Sequence, residues 1–137
     1  MRWDAGPNAG FCPPDVAPWL PVGPEPPEAN VAAQDGDPGS LLGLYRGLLA
    51  LRRESPALSD GSFAMLEVGA GHLLFERVHA DERLVVMVNM VDGTTVVELP
   101  DGIVVAATDP TRTGAPVAGA TSVQPNEAFV VRVDPGW

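Results

Sequence analysis

Two histidines, one cysteine and 18 carboxylates are the side chains of this 137-residue chain that suit proton transfer, nucleophilic attack or metal ligation. His72 and His79 stand seven apart in a segment that alternates like a strand, so they fall on opposite faces and cannot share a metal. Each reads as a half-exposed strand residue. Cys12 sits in Phe-Cys-Pro-Pro with no second cysteine, which excludes an intramolecular disulfide and a zinc or redox pair. A nucleophilic role would need a base beside it, and neither histidine is placed for one. The turn Gly69-Ala70-Gly71 lacks the third glycine and the following helix of a dinucleotide loop. The chain has no lysine, hence no phosphate-loop lysine, and no Gly-x-Ser-x-Gly elbow. An acid and base pair of carboxylates needs one partner buried to raise its pKa. Asp60, Asp81, Asp92, Asp101 and Asp109 instead fall in turns or caps. Asp4 is different: it lies between Trp3 and a glycine-rich turn, where it suits a ligand contact or a cap. No spaced carboxylates of a calcium loop occur. The residues therefore give no catalytic set, no metal site and no cofactor.

Composition narrows the class. Hydrophobic residues make up 45% of the chain, too many for disorder throughout. The formal net charge of -10 repels phosphate backbones, so nucleic acid is not expected as a partner. Arg52 and Arg53 adjoin a helix end, where cations suit the helix dipole. The N-terminus has no apolar stretch of a signal peptide, and no apolar run reaches the roughly 20 residues of a membrane helix. With one cysteine, the expectation is a soluble protein of the reducing cytoplasm.

Residues 1–36 carry no period and contain Gly-Pro, Pro-Pro and a Pro-Glu-Pro-Pro run at 24–27. Yet Trp3, Phe11 and Trp19 are costly to leave in water, so this loop is expected to lie against something. A helix over 37–55 follows, with Asp37 as its cap and Pro38 in its first turn. Leu41, Leu44, Tyr45, Leu48 and Leu51 form its stripe, widened by Leu42 and Leu49, and Ser55-Pro56 ends it. From residue 61 the period becomes two. Strands are expected over 62–68, 72–79, 84–91, 94–99, 103–108 and 128–133, with turns at Gly69-Ala70-Gly71 and Ala80-Asp81-Glu82. The third is apolar on both faces and so central. Asp92-Gly93 signals a hairpin to the fourth, and 109–121 reads as a loop. The fold class is mainly β: an antiparallel sandwich of Greek-key type over 61–137, preceded by the Pro-rich loop and one helix.

Specific wording carries further than pattern. Met1-Arg2-Trp3-Asp4, Asn8-Ala9-Gly10-Phe11 and Pro18-Trp19-Leu20-Pro21-Val22 resemble a loop of the family thirteen α-glucosidases and oligo-1,6-glucosidases, in the α-amylase superfamily. Arg2 stands where that family usually has glutamine. Asn30-Val31 with Gln34, Asp37-Pro38 with Ser40-Leu41-Leu42, and Leu49-Ala50-Leu51-Arg52-Arg53 resemble the run into the family's last barrel helix and that helix itself. Pro56-Ala57-Leu58, Gly61-Ser62-Phe63 and Gln124-Pro125-Asn126-Glu127-Ala128 resemble parts of its C-terminal domain.

The resemblance implies that residues 1–36 are the loop after the eighth strand of a (β/α)8 barrel, that 37–55 are its last helix and that 61–137 are the C-terminal sandwich. It implies retaining hydrolysis by an aspartate nucleophile and a glutamate acid/base, neither of which maps onto this chain, so no activity is expected from it alone. Trp3, Asp4, Asn8 and Phe11 would shape the substrate rim of a whole enzyme, or else fix the loop to the barrel. The partner implied is an α-gluco-oligosaccharide in the whole enzyme, with a barrel domain docking on the helix stripe of 38–54. Met1 matches an internal methionine of the motif, as expected for a truncated gene or misplaced start. The alternative is a stand-alone carbohydrate-binding or barrel-docking sandwich subunit. Sugar binding needs exposed aromatics, and beyond residue 60 the large ones are Phe63, Phe75, Phe129 and Trp137.

Overall fold

The computed structural model describes residues 2–24, 29–80 and 82–134. Met1 of the first motif, most of the 24–27 proline run, Asp81 of the second turn and Trp137 lie outside the described residues. The chain divides into two compact units, one reaching to Arg46 and one starting at Gly47.

The first unit is irregular backbone with little regular structure. A 3-10 turn spans Pro7–Gly10, and helix α1 spans Val31–Gln34, capped by the Asn30 side chain on the Ala33 amide at 2.8 Å. Helix α2, Leu41–Glu54, begins four residues later than the sequence implies. Asp37 does not cap it. Its Oδ1 accepts from the Gly39 amide at 2.9 Å in a local turn, and Pro38 lies before the helix. Ser40 takes the capping place, its hydroxyl accepting from the Gly43 amide at 3.0 Å. The Gln34 side chain satisfies the Leu42 amide at 3.0 Å. Two of the free donors of the first turn are thereby paired.

The second unit is an antiparallel sheet. Its strands are β1 (Ser62–Val68), β2 (His72–His79), β3 (Glu82–Asn89), β4 (Thr95–Ala107), β5 (Pro116–Val123) and β6 (Ala128–Val133). Their order in space is β1-β2-β3-β6-β4-β5. The Asp92-Gly93 hairpin expected between β3 and β4 does not form, because β6 returns from the chain end and pairs with both. The segments expected as two strands over 94–99 and 103–108 are one strand, β4, broken by register shifts at Leu99/Gly102 and Val104/Ala106. Gly102 sits against the Arg132 carbonyl, where a Cβ would collide. The expected loop over 109–121 contains a 3-10 turn, Pro110–Arg112, and most of β5.

Two apolar clusters hold the sheet. The larger draws Leu74, Val85, Met87, Val97, Leu99, Val104, Ala107, Val123, Phe129, Val131 and Val133 from β2 to β6. The smaller joins buried Ala57, Leu84 and Val130, with Leu51, Leu58 and Val86 packed on it. β3 feeds both, which is why its sequence is apolar on both faces. Helix α3, Pro56–Asp60, follows α2 directly, with Ser55 as its cap. The buried Ser55 hydroxyl donates to Glu82 Oε2 at 2.7 Å, and that oxygen also accepts from the Ala57 amide at 3.0 Å. Glu82 thus secures α3 to the start of β3.

Candidate functional site

The residues singled out for a rim lie in the first unit. Asn8, Ala9 and Gly10 have φ of 59°, 50° and 73°, three successive residues in the left-handed region. That conformation costs roughly 1 kcal/mol or more for a residue with a Cβ, least for asparagine, and nothing for glycine. Gly10 is required twice over, because a Cβ there would meet Trp3 and the Asp4 carboxylate. Side-chain bonds hold the turn. Asn8 Nδ2 donates to the Pro13 carbonyl at 2.8 Å and the Val16 carbonyl at 2.9 Å. Asp4 Oδ1 accepts from the Gly6 amide at 2.8 Å. The Trp3 amide donates to the Ala9 carbonyl at 3.0 Å, and buried Ala9 plugs the turn.

Asp4 and Asn8 are therefore engaged in folding the loop, while Trp3 and Phe11 carry its exposed apolar surface, at 58% and 53% exposure. Trp19 stands out further, at 93%. Phe11, Cys12, Val16, Trp19, Leu20 and Arg2 border a mainly apolar concavity of about 570 Å³. The Cys12 thiol donates to the Val16 carbonyl at 3.3 Å. Of the four expected rim residues, Phe11 lines this concavity and Trp3, Asp4 and Asn8 do not.

Two residues of structural weight were not singled out for the site. Arg2 donates through Nη2 to the Gly23 carbonyl at 2.9 Å and bridges to Asn30 in parallel, so both ends of the loop are tied together. Asn30 is buried and caps α1. The Val31 and Ala32 amides donate to the Arg2 and Trp3 carbonyls at 3.0 and 2.9 Å. An asparagine before a short apolar run is a capping signal, but only the fold brings it to Arg2.

In the second unit His72 has a partner the sequence did not indicate: its Nε2 lies 2.8 Å from Glu67 Oε1 across the β1–β2 turn. Among the described residues no three His, Cys, Asp or Glu side chains are grouped to hold a metal ion. No helix among them is long and apolar enough to cross a membrane.

An irregular loop rich in exposed aromatics, followed by a helix and an antiparallel β domain, matches known proteins. Residues 1–61 match the family model of the alpha-amylase catalytic domain. A probable α-glucosidase of Rhizobium meliloti is 38% identical over 100 residues, which is 73% of this chain and 18% of the relative. An oligo-1,6-glucosidase of Parageobacillus thermoglucosidasius is 33% identical over 105 residues, 76% of this chain and 18% of the relative. A crystal structure of a trehalulose synthase superposes with TM-score 0.87 and 30% identity, over 98% of this chain and 25% of its own. The chain belongs to the α-amylase superfamily of glycoside hydrolases. Within it, the chain is similar to α-glucosidases and oligo-1,6-glucosidases, and it spans 18% of the length of the two curated relatives above.

Proposed function

We propose that these residues are the C-terminal, non-catalytic portion of an α-glucosidase-type enzyme acting on α-linked gluco-oligosaccharides in the cytoplasm. The observation that carries this is a coincidence of position. The segment matching the catalytic-domain family also leaves Trp3, Phe11, Trp19, Leu41 and Tyr45 uncovered. Apolar surface of that size on a folded chain marks an interaction site. The occupant is a catalytic barrel supplied by other residues, which docks on the α2 stripe and on the aromatic loop. Trp3 and Phe11 then edge the substrate entrance, and Asp4 and Asn8 fix the loop that presents them.

Reconstitution tests this. The catalytic portion of the Rhizobium meliloti relative, ending where its likeness to this chain begins, is mixed with the 137-residue chain and assayed on maltose and isomaltose. Hydrolysis by the mixture and by neither part alone is expected. A mixture as inert as its parts would count against the assignment.

A further inference from the structure

Asp92-Gly93 signals a hairpin that the fold does not build, and its own chemistry is open to another use. In an aspartyl-glycine linkage the glycine nitrogen can close on the aspartate side chain, because no Cβ hinders its approach. The chain has four such linkages: Asp35-Gly36, Asp60-Gly61, Asp92-Gly93 and Asp101-Gly102. The structure treats them unequally. Asp101 and Gly102 lie within β4, where Gly102 is buried in register with Val117 and Val133 and pressed on the Arg132 carbonyl. The Asp101 carbonyl also accepts from the Asp134 amide at 3.0 Å. Asp60 ends α3, and Gly61 after it is wedged against the Ala57 and Val78 carbonyls, with its own carbonyl accepting from Arg77 Nη2 at 2.8 Å. Neither linkage can turn its peptide without breaking a strand or a helix end.

Asp92-Gly93 is different. Both residues are exposed, they belong to the bend between β3 and β4, and nothing stands within 4 Å of the Cβ position of Gly93. The Gly93 amide donates no hydrogen bond among the described residues. The Asp92 carboxyl is held by one exposed bond, donated by Asn126 Nδ2 to its Oδ1 at 3.0 Å. Asp35-Gly36 shares the open glycine, but Arg46 holds the Asp35 carboxylate in an ion pair. Asp35 thus faces a full positive charge and Asp92 a neutral amide, so Asp35 is the harder of the two to draw away from its partner.

We infer that Asp92-Gly93 is a site of spontaneous modification, at which the peptide link passes from the main-chain carbonyl of Asp92 to its side chain. The Gly93 nitrogen forms a bond to Asp92 Cγ. Its proton and the carboxyl hydroxyl leave as water, which gives a cyclic imide. Water then adds to the main-chain carbonyl carbon of Asp92 and breaks that carbon's bond to the Gly93 nitrogen. The product is an isoaspartyl residue of unchanged mass, with the chain running through Cβ and Cγ and a carboxylate left on Cα. The water released in the first step balances the water taken up in the second, so no other reactant is needed. The extra methylene in the main chain takes the carboxylate away from Asn126, whose bond to Asp92 joins the exit of β3 to the turn before β6. The carboxylate on Cα is the acceptor class of a carboxyl methyltransferase that uses S-adenosylmethionine. The inference is independent of the assignment proposed above.

The test is ageing of the purified 137-residue chain in neutral buffer at physiological temperature, followed by digestion and electron-transfer dissociation, which tells isoaspartate from aspartate at each linkage. Isoaspartate is expected first at Asp92, with Asp60 and Asp101 unchanged until the chain is unfolded in urea. Gly93→Ala is expected to slow the reaction at Asp92 at least about tenfold, since a Cβ hinders the attacking nitrogen. The new methyl meets nothing within 4 Å and Gly93 is not left-handed, so the fold is kept. The ranking of the four wild-type linkages reads the same inference without a variant. No isoaspartate at Asp92, accumulation at another linkage of the folded chain at least as fast, or an unchanged rate in Gly93→Ala overturns the inference. Faster hydrogen exchange at the Asn126 amide is expected in the isoaspartyl fraction, and unaltered exchange there overturns the loss of the Asn126 tie.

Discussion

Arg112 holds both oxygens of the Glu127 carboxylate through one nitrogen, Nη1, at 2.9 and 2.8 Å. Its Nη2 donates to the Ser122 carbonyl at 3.0 Å, and its guanidinium lies 4.6 Å over the Phe129 ring. Glu127 Oε2 also accepts from the Gln124 amide at 2.7 Å. One ion pair thus joins the turn before β5, the end of β5 and the start of β6. Glu127 is 5% exposed, so removing its partner leaves a charge out of water.

Glu127→Ala is expected to cost about 3 kcal/mol, the lower end for a broken buried pair, because Arg112 keeps some access to solvent. Glu127→Gln retains an acceptor and should cost less. Urea unfolding of both variants checks the order.

Asn89, 2% exposed, is a polar residue inside the core. Its Nδ2 donates to the carbonyls of Gly93 and Gln124 at 2.8 and 2.9 Å, and its Oδ1 accepts from the Val91 amide at 3.3 Å. It fixes the path of the chain as it leaves β3 without pairing to β4. Asn89→Leu orphans those groups, and a loss of about 2–4 kcal/mol is expected from two or more unsatisfied polar atoms. Differential scanning calorimetry would register it as a lower midpoint with intact cooperativity.

Asp109 supplies a pH signature. Its carboxyl is held below the usual carboxylate range, first by the Thr111 hydroxyl, at 2.7 Å, and next by the Thr111 amide, at 2.9 Å. Desolvation works the other way, and the charge of Arg112 adds to the lowering. A depressed carboxyl stabilises the fold above its unfolded pKa of about 3.9, and that contribution is lost as pH falls through the folded value. Asp109→Asn should therefore be less stable than wild type at neutral pH, with the gap closing as the pH falls through the folded value. Parallel melts across that range would read the difference; a gap that widens in acid would refute the sign.

Asn8→Asp keeps a side chain that tolerates the left-handed region but removes the two donated bonds to Pro13 and Val16. Faster hydrogen exchange at the Phe11 and Val16 amides is expected, with β-sheet protection unchanged. Asn8→Gly, which relieves backbone strain yet loses the same bonds, should exchange faster as well. Slow exchange in both would mean the loop is held by something other than Asn8.

How far the sequence reads depends on the range of the contacts. β1, β2 and β6 begin and end where periodicity puts them, because alternation is a local property. The β3–β4 hairpin that Asp92-Gly93 implies does not form, because that signal is local and the competing partner, β6, lies some forty residues on. β5 is not legible in the sequence because Ala118, Gly119 and Ala120 contribute no size contrast, although exposed and less exposed residues alternate along it. The helix start moved because Asp37, Pro38 and Ser40 are all good starting residues, and Gln34 settles the choice through the Leu42 amide. At the candidate site, Trp3 and Phe11 were legible as apolar residues in a loop. That Asp4 and Asn8 spend their polar atoms on the loop itself emerges only from the left-handed run Asn8, Ala9 and Gly10.

The proposed function requires that this chain support an α-glucosidase without a catalytic set of its own. Hydrolysis of p-nitrophenyl α-glucoside by the purified 137-residue chain tests it most directly. The expected rate is that of buffer alone. Turnover above buffer that disappears in Asp4→Asn, with the fold intact, would place a catalytic carboxylate in the loop and contradict the account.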